Sequence, residues 1–196
     1  MSETAMSPVH PVALVVDDDL RRSRITVFFR LLLVIPHLIV LAVWGIVAEI
    51  ALLVAWVIAL ITGRVPAGLH DFLAGFLRYS TRVNAYILLL ANPWPPFTSA
   101  SPYPVDARIG PAAPQGRLGV LFRIILAVPA ILLSYVFRIV NNLVAFLGWF
   151  YALAFGRMSQ GMRDTSAWLF RYELQTYAYL FLLTSRYPSL AGAPSV

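Results

Sequence analysis

The chain has no cysteine and no lysine. Without cysteine there is no disulfide, no thiolate metal site and no thiol nucleophile, and the redox state of the compartment leaves no trace. Charge is scarce too. Asp, Glu, Lys and Arg make up 12% of the 196 residues, against about 25% in an ordinary soluble domain. Apolar residues fill the gap, at 60% of the chain with a mean hydropathy of +0.76. That is the composition of an integral membrane protein. The net charge of +6 comes from fifteen arginines, most of them at the ends of apolar segments, so no nucleic-acid partner is expected. A cleavable signal is not expected either, because Val12 to Val16 is too short an apolar run and three aspartates (Asp17, Asp18, Asp19) follow it.

What is present is a repeat. Shifting the chain by 93 positions aligns 11–97 with 104–190 without a gap. About 25 of those positions are identical, where shared apolar bias would give on the order of ten. The polar and turn-forming matches are the informative ones. They include Pro11/Pro104, Arg24/Arg117, Phe29-Arg30/Phe122-Arg123, Pro36/Pro129 and Trp56/Trp149. Further along come Arg78-Tyr79/Arg171-Tyr172, Ala85-Tyr86/Ala178-Tyr179 and Pro95/Pro188. A turn motif also recurs, as Gly63-Arg64, Gly68 and Asp71 and again as Gly156-Arg157, Gly161 and Asp164. The chain therefore divides into a loose tail (1–10), a first unit (11–97), a linker (98–103), a second unit (104–190) and a tail (191–196).

Each unit reads in the same order. A short strand, 12–16 and 105–109, precedes a segment mixing arginine with apolar residues (Arg21, Arg22, Arg24, Arg30 in the first unit), which suits an amphipathic helix in the membrane interface with guanidinium groups near phosphates. An apolar run follows that is too long for one span of about 30 Å. Pro36 supplies a break in it, which places spans at about 37–61 and 69–91 and their copies at 130–154 and 162–184. The expected fold is all-α and integral to the membrane, with four transmembrane helices as two tandem hairpins. Each unit's even number of spans predicts a pseudo-two-fold axis along the membrane normal, with the two strands on one side and able to pair. Arg64 would then meet headgroups, and Asp71 would sit in the first turn of the returning helix, where the macrodipole favours a negative charge. More arginines on the side of the termini than on that of the turns predicts both termini in the cytoplasm of a multi-pass plasma-membrane protein.

These features resemble a bacterial membrane family, the domain-of-unknown-function 4389 family, present as two tandem copies. The residues that carry the resemblance are Phe29 to His37, the Gly63-Arg64…Gly68…Asp71 turn, Arg78-Tyr79, Arg82-Val83 with Ala85-Tyr86, and Trp94-Pro95-Pro96-Phe97. The second copy departs from it, with Ala130 at the His37 position and Gln175 at the Arg82 position. The resemblance implies no activity.

Candidate functional residues are the polar groups at mid-membrane depth. Glu49 lies near the middle of the first span, level with Arg78 and Arg82, and a Glu49–Arg82 or Glu49–Arg78 pair is expected because an unpaired charge there costs about 2.5–3.5 kcal/mol. The second unit offers Asn142 at the Glu49 position, and Arg138, Arg171 and Glu173, with an Arg138–Glu173 pair expected. Structural ion pairing, an ion or substrate path, and a polar returning helix that is re-entrant rather than spanning all fit these residues. His37 reads as a headgroup or backbone contact, and His70-Asp71 as part of the turn, because its second copy is Arg163-Asp164. No catalytic constellation, metal site or cofactor is expected. The leading reading is a non-catalytic accessory, scaffold or lipid-interacting subunit, with the bilayer and its anionic headgroups as partner. Another membrane protein or a second copy could pack on the small-residue face of Gly45, Ala48, Ala51, Ala55 and Ala59. The alternative is a small transporter or channel using Glu49/Arg82 and Arg138/Glu173.

Overall fold

The computed structural model describes residues 10–98 and 101–191. The tails expected at 1–10 and 191–196 therefore fall almost wholly outside the described residues. Within the described residues the order is β1 (Val12–Val16), α1 (Arg24–Phe28), α2 (Arg30–Leu33), α3 (Ile35–Thr62), α4 (Ala67–Ile87), β2 (Val105–Ile109), α5 (Arg117–Leu121), α6 (Arg123–Phe155) and α7 (Gln160–Leu180). The two strands pair antiparallel, Val12 opposite Ile109 and Val16 opposite Val105. Strand periodicity puts Val12, Leu14, Val16, Val105 and Ala107 on one face, and all five are buried.

The long helices are longer than the proline positions suggest. Pro36 is accommodated in the first turn of α3, where its missing N–H costs nothing. Pro129 lies inside α6, which starts six residues earlier at Arg123 and continues through it. Both helices stop at a left-handed glycine. Gly63 (φ 74°) and Gly156 (φ 67°) return their amides to Ala59 and Ala152, a conformation that other residues resist. The remaining glycines of the repeated motif, Gly68 and Gly161, sit in the first turn of α4 and α7 with open space around them.

The two units exchange their N-terminal arms. The Arg22 amide donates to Gly156 O and the Gln115 amide to Gly63 O, at equivalent positions. Trp56 Nε1 donates to Val120 O and Trp149 Nε1 to Val27 O. Each long helix thus ends where the other begins, so α3 and α6 run antiparallel, about 42 and 50 Å long at 1.5 Å per residue. The strands are exchanged as well. β2 packs on α4 through Arg82–Asp106, and β1 on α7 through a bond from Gln175 Nε2 to Val12 O. The result is a layered molecule, with α3 and α6 outermost, α4 and α7 beneath them, and the sheet beneath those.

Two helices among the described residues, α3 with its α2 lead-in and α6, are long and apolar enough to cross a membrane. The expected four are not found. α4 and α7 are covered by the long helices on one face and by the sheet on the other, so their polar residues face protein rather than lipid. The arginine-rich lead-in segments differ from expectation for a related reason. Arg22, Arg30 and Arg123 are buried rather than set among phosphates. Arg30 Nη1 donates to Tyr86 O and to Ala91 O (3.2 Å), with its guanidinium 4.2 Å over the Tyr86 ring. Arg123 Nη1 repeats this on Tyr179 O (2.6 Å) and Thr184 O (2.9 Å), 4.5 Å over Tyr179. A cation at this end of a helix meets free carbonyls and the negative pole of the macrodipole. The chain then turns through Leu89 and Leu182, both at φ 61°, whose carbonyls are held by Arg22 (2.6 and 3.0 Å) and by Gln115 (2.5 Å).

The two kinds of glycine predict opposite outcomes. Gly63→Ala forces a side chain into a left-handed conformation and should destabilise by about 1–2 kcal/mol. Gly68→Ala, in open helical space, should be neutral or stabilising by about 0.4–1 kcal/mol. Thermal unfolding midpoints of the two variants in the same detergent check this, and a common shift would contradict it.

Candidate functional site

Where α4 crosses α7, a cavity of about 400 Å³ opens between the two long helices. Its walls come in equivalent pairs: Gly45 with Arg138, Ser80 with Glu173, Thr81 with Leu174, and Asn84 with Tyr177. A cavity lined by both members of each pair lies on the pseudo-two-fold axis. It is also where the copies differ chemically, since none of these pairs is an identity.

The structure distributes the sequence-predicted polar residues unequally. Arg138 and Glu173 meet as expected, Nη2 to Oε1 at 2.5 Å, and the same nitrogen reaches the Tyr177 hydroxyl. Burial pushes the Glu173 carboxyl above its usual range, against the opposing pull of the Arg138 guanidinium. Glu49 pairs with neither Arg82 nor Arg78. It lines the cavity from the flank of α3 and makes no hydrogen bond or ion pair among the described residues. Arg82 is buried on the far side of α4, where its Nη2 lies 2.7 Å from Asp106 and its Nη1 donates to Thr98 O and Ser101 O. Arg78 donates to Ala107 O on the same strand, and Arg171 to Leu190 O and Ala191 O. The Arg82 face of α4 looks towards β2, which is why the spacing along the hairpin misassigned its partner. Asn142 is exposed on α6. Its neighbour Asn141 is the buried one and accepts from Ser166 Oγ at 2.5 Å.

The repeated turn takes no part in this site. Arg64 and Arg157 are exposed, and Asp71 and Asp164 are the fifth residues of α4 and α7, past the first turn and exposed. The small residues Ala48, Ala55 and Ala59 pack in the chain's own core. His37, read as a headgroup contact, is fully buried, with Nδ1 2.7 Å from the Tyr79 hydroxyl and its ring against Trp94 and Phe97 at 4.4 and 4.6 Å. The sequence holds a trace of this cluster. Where the second unit has Ala130 in place of His37, it also has Tyr187 and Leu190 in place of Trp94 and Phe97. No group of three or more His, Asp or Glu side chains among the described residues is placed to hold a metal ion.

The model of the family described as Domain of unknown function (DUF4389) matches residues 24–99 and again 117–191. The chain belongs to this family. It carries the domain twice in tandem, and the two matched segments are those that the exchanged arms and paired glycines interlock. No curated protein and no solved structure matches the chain. The chemistry of the site therefore rests on its own geometry: one half-exposed guanidinium, two carboxylates, and hydroxyl and amide groups, with no nucleophile beside a base.

The exchanged ion pair yields a double-mutant cycle. Asp106→Ala removes the carboxylate that Arg82 Nη2 and Nε meet in the interior and should cost about 1.5–3 kcal/mol. Adding Arg82→Gln should recover most of that loss, because the exchanged α7–β1 contact already combines Gln175 with Ala13 at the equivalent positions. Denaturation in detergent reads the coupling, and additive losses would exclude it.

Proposed function

We propose that this is a non-catalytic, lipid-interacting membrane protein whose two long helices lie within one leaflet. The observation that carries this reading is the path of the chain from α4 to α5. It leaves α4 beside Arg30, runs as β2 against the middle of α4, and reaches Gln115 at Gly63, the opposite end of the hairpin. If α3 stood across the bilayer, this stretch would cross it too. A two-stranded sheet with open edges, an exposed Arg108 and the exposed segment 111–114 would then lie at hydrocarbon depth. Lipid-exposed sheet edges and irregular backbone do not occur there.

An in-plane arrangement removes the conflict. The exposed face of α3, including Ile39, Val43, Ile46, Ile50, Leu53 and Val57, and that of α6, including Leu132, Val136, Ile139 and Leu143, enter hydrocarbon. The sheet stays in water, and the pseudo-two-fold axis runs along the membrane normal. Exposed Arg24, Arg64, Arg117 and Arg157, near the ends of the long helices, reach anionic headgroups, each worth about 1 kcal/mol near such a surface. The small-residue face that would receive another membrane protein is already filled by the chain's own core, which favours lipid as the partner.

The natural absence of cysteine makes the test direct. Arg21→Cys and Arg64→Cys place single thiols near opposite ends of α3. With protein reconstituted in sealed vesicles, an impermeant maleimide should label both positions from the same side. Labelling from opposite sides would establish a crossing helix and overturn the in-plane reading.

A further inference from the structure

We propose that the cavity on the pseudo-two-fold axis is a binding site for a zwitterionic phospholipid headgroup, its phosphate on Arg138 and its cationic amine on Glu49. The inference deepens the lipid-interacting reading and rests on it. Arg138 is 45% exposed on its side chain, and its bonds to the protein all come from Nη2. Nη1 and Nε are left open among the described residues, and a guanidinium fork suits a phosphate. Glu49 faces the same cavity with no cation beside it, on a helix flank that is otherwise apolar. A carboxylate in such surroundings is stabilised by a counter-cation. Among the described residues none lies within ion-pair distance, since Arg138 across the cavity is paired with Glu173, whereas a headgroup amine entering the cavity would supply one.

The apolar half of the ligand is accommodated too. Glu49 also lines a second cavity of about 350 Å³, walled by Leu52, Leu53, Trp56, Ile124 and Leu180. The polar and the apolar cavity thus meet at one carboxylate. An amphiphile with its headgroup at the axis would lay a chain along α3 towards α6, on the face that meets hydrocarbon. A volume of about 400 Å³ is ample for a headgroup. Ser80, Asn84 and Tyr177 add hydroxyl and amide donors for phosphate and glycerol oxygens. A purely anionic headgroup would leave Glu49 facing a like charge, so charge complementarity selects the zwitterion.

The test uses the full chain in mild detergent, incubated with an equimolar mixture of phosphatidylethanolamine, phosphatidylcholine and phosphatidylglycerol, the retained lipid being read by native mass spectrometry. One bound lipid is expected, with either zwitterion favoured at least about tenfold over phosphatidylglycerol, and the arms tell ethanolamine from choline. Glu49→Gln, at a residue without protein partners, should abolish that preference while leaving the unfolding midpoint unchanged. Because Arg138→Gln alone would strand Glu173, the second variant is Arg138→Gln with Glu173→Gln, which should lose retention altogether. Equal retention of the three lipids, preference for phosphatidylglycerol, or an unaltered preference in Glu49→Gln would overturn the proposal. Vesicle flotation separates the two levels. A protein that floats with phosphatidylcholine–phosphatidylglycerol vesicles yet retains no lipid sinks the cavity proposal only, whereas one that does not float sinks the membrane reading as well.

Discussion

Two helices that end inside the molecule must have their last carbonyls satisfied there, and the rest of the fold follows from how that is done. α4 and α7 each stop against a buried guanidinium, Arg30 or Arg123, which binds two carbonyls five residues apart and lies on the ring of the tyrosine that bears the first of them. Arg22 and Gln115 then hold the next turn through the left-handed leucines. In a dry interior each lost partner would cost the desolvation of a polar backbone group. The arms that supply these groups are fixed in turn by the glycine turns of the other unit. Capping, arm exchange and the antiparallel course of the long helices are therefore one constraint.

That constraint explains an inversion of ordinary membrane-protein layering. The helices poorest in apolar residues are the innermost, and the most apolar ones face outward. α7 buries Arg171, Glu173, Gln175 and Thr176, which a lipid-facing helix could not carry. The polar groups find partners in the sheet, in the chain leaving each helix, and across α6, where Ser134 meets Thr176 at 2.8 Å and Asn141 meets Ser166.

The duplication, the two pairing strands and the hairpin turns were legible because they leave local marks: identities at a fixed offset, a strand-length apolar run, a glycine after a long helix. What was not legible was the exchange between units. A gapless repeat says that two units are alike and not which arm packs on which hairpin. That single unknown misplaced the partner of Arg82, assigned Arg30 to phosphates, and gave the arginine count a two-sided meaning it lacks. Arg21 bridges to Arg157, so the side of the termini and the side of the turns are neighbours. The Arg138–Glu173 pair was within reach because both partners belong to one hairpin and neither faces the exchanged strand, whereas Arg82 is taken by Asp106 of the other unit.

Comparing the two copies position by position separates scaffold from site. The joints are identities: Arg30 and Arg123, Tyr86 and Tyr179, Leu89 and Leu182, Trp56 and Trp149, Gly63 and Gly156. Each takes the same place in both units, even where the partner changes, as Leu89 is held by Arg22 and Leu182 by Gln115, so symmetry there is a requirement of folding. At the axis the requirement is different, because equivalent residues face one another across a single cavity. Identical charges on the two sides would repel, and identical apolar residues would close the space. Gly45 against Arg138, Ser80 against Glu173 and Asn84 against Tyr177 instead set a small or uncharged residue opposite a charged or larger one. An exchanged pair of like units offers unlike contacts to the two ends of one ligand by departing from symmetry at the axis, as this chain does at Gly45 and Arg138 and at Ser80 and Glu173.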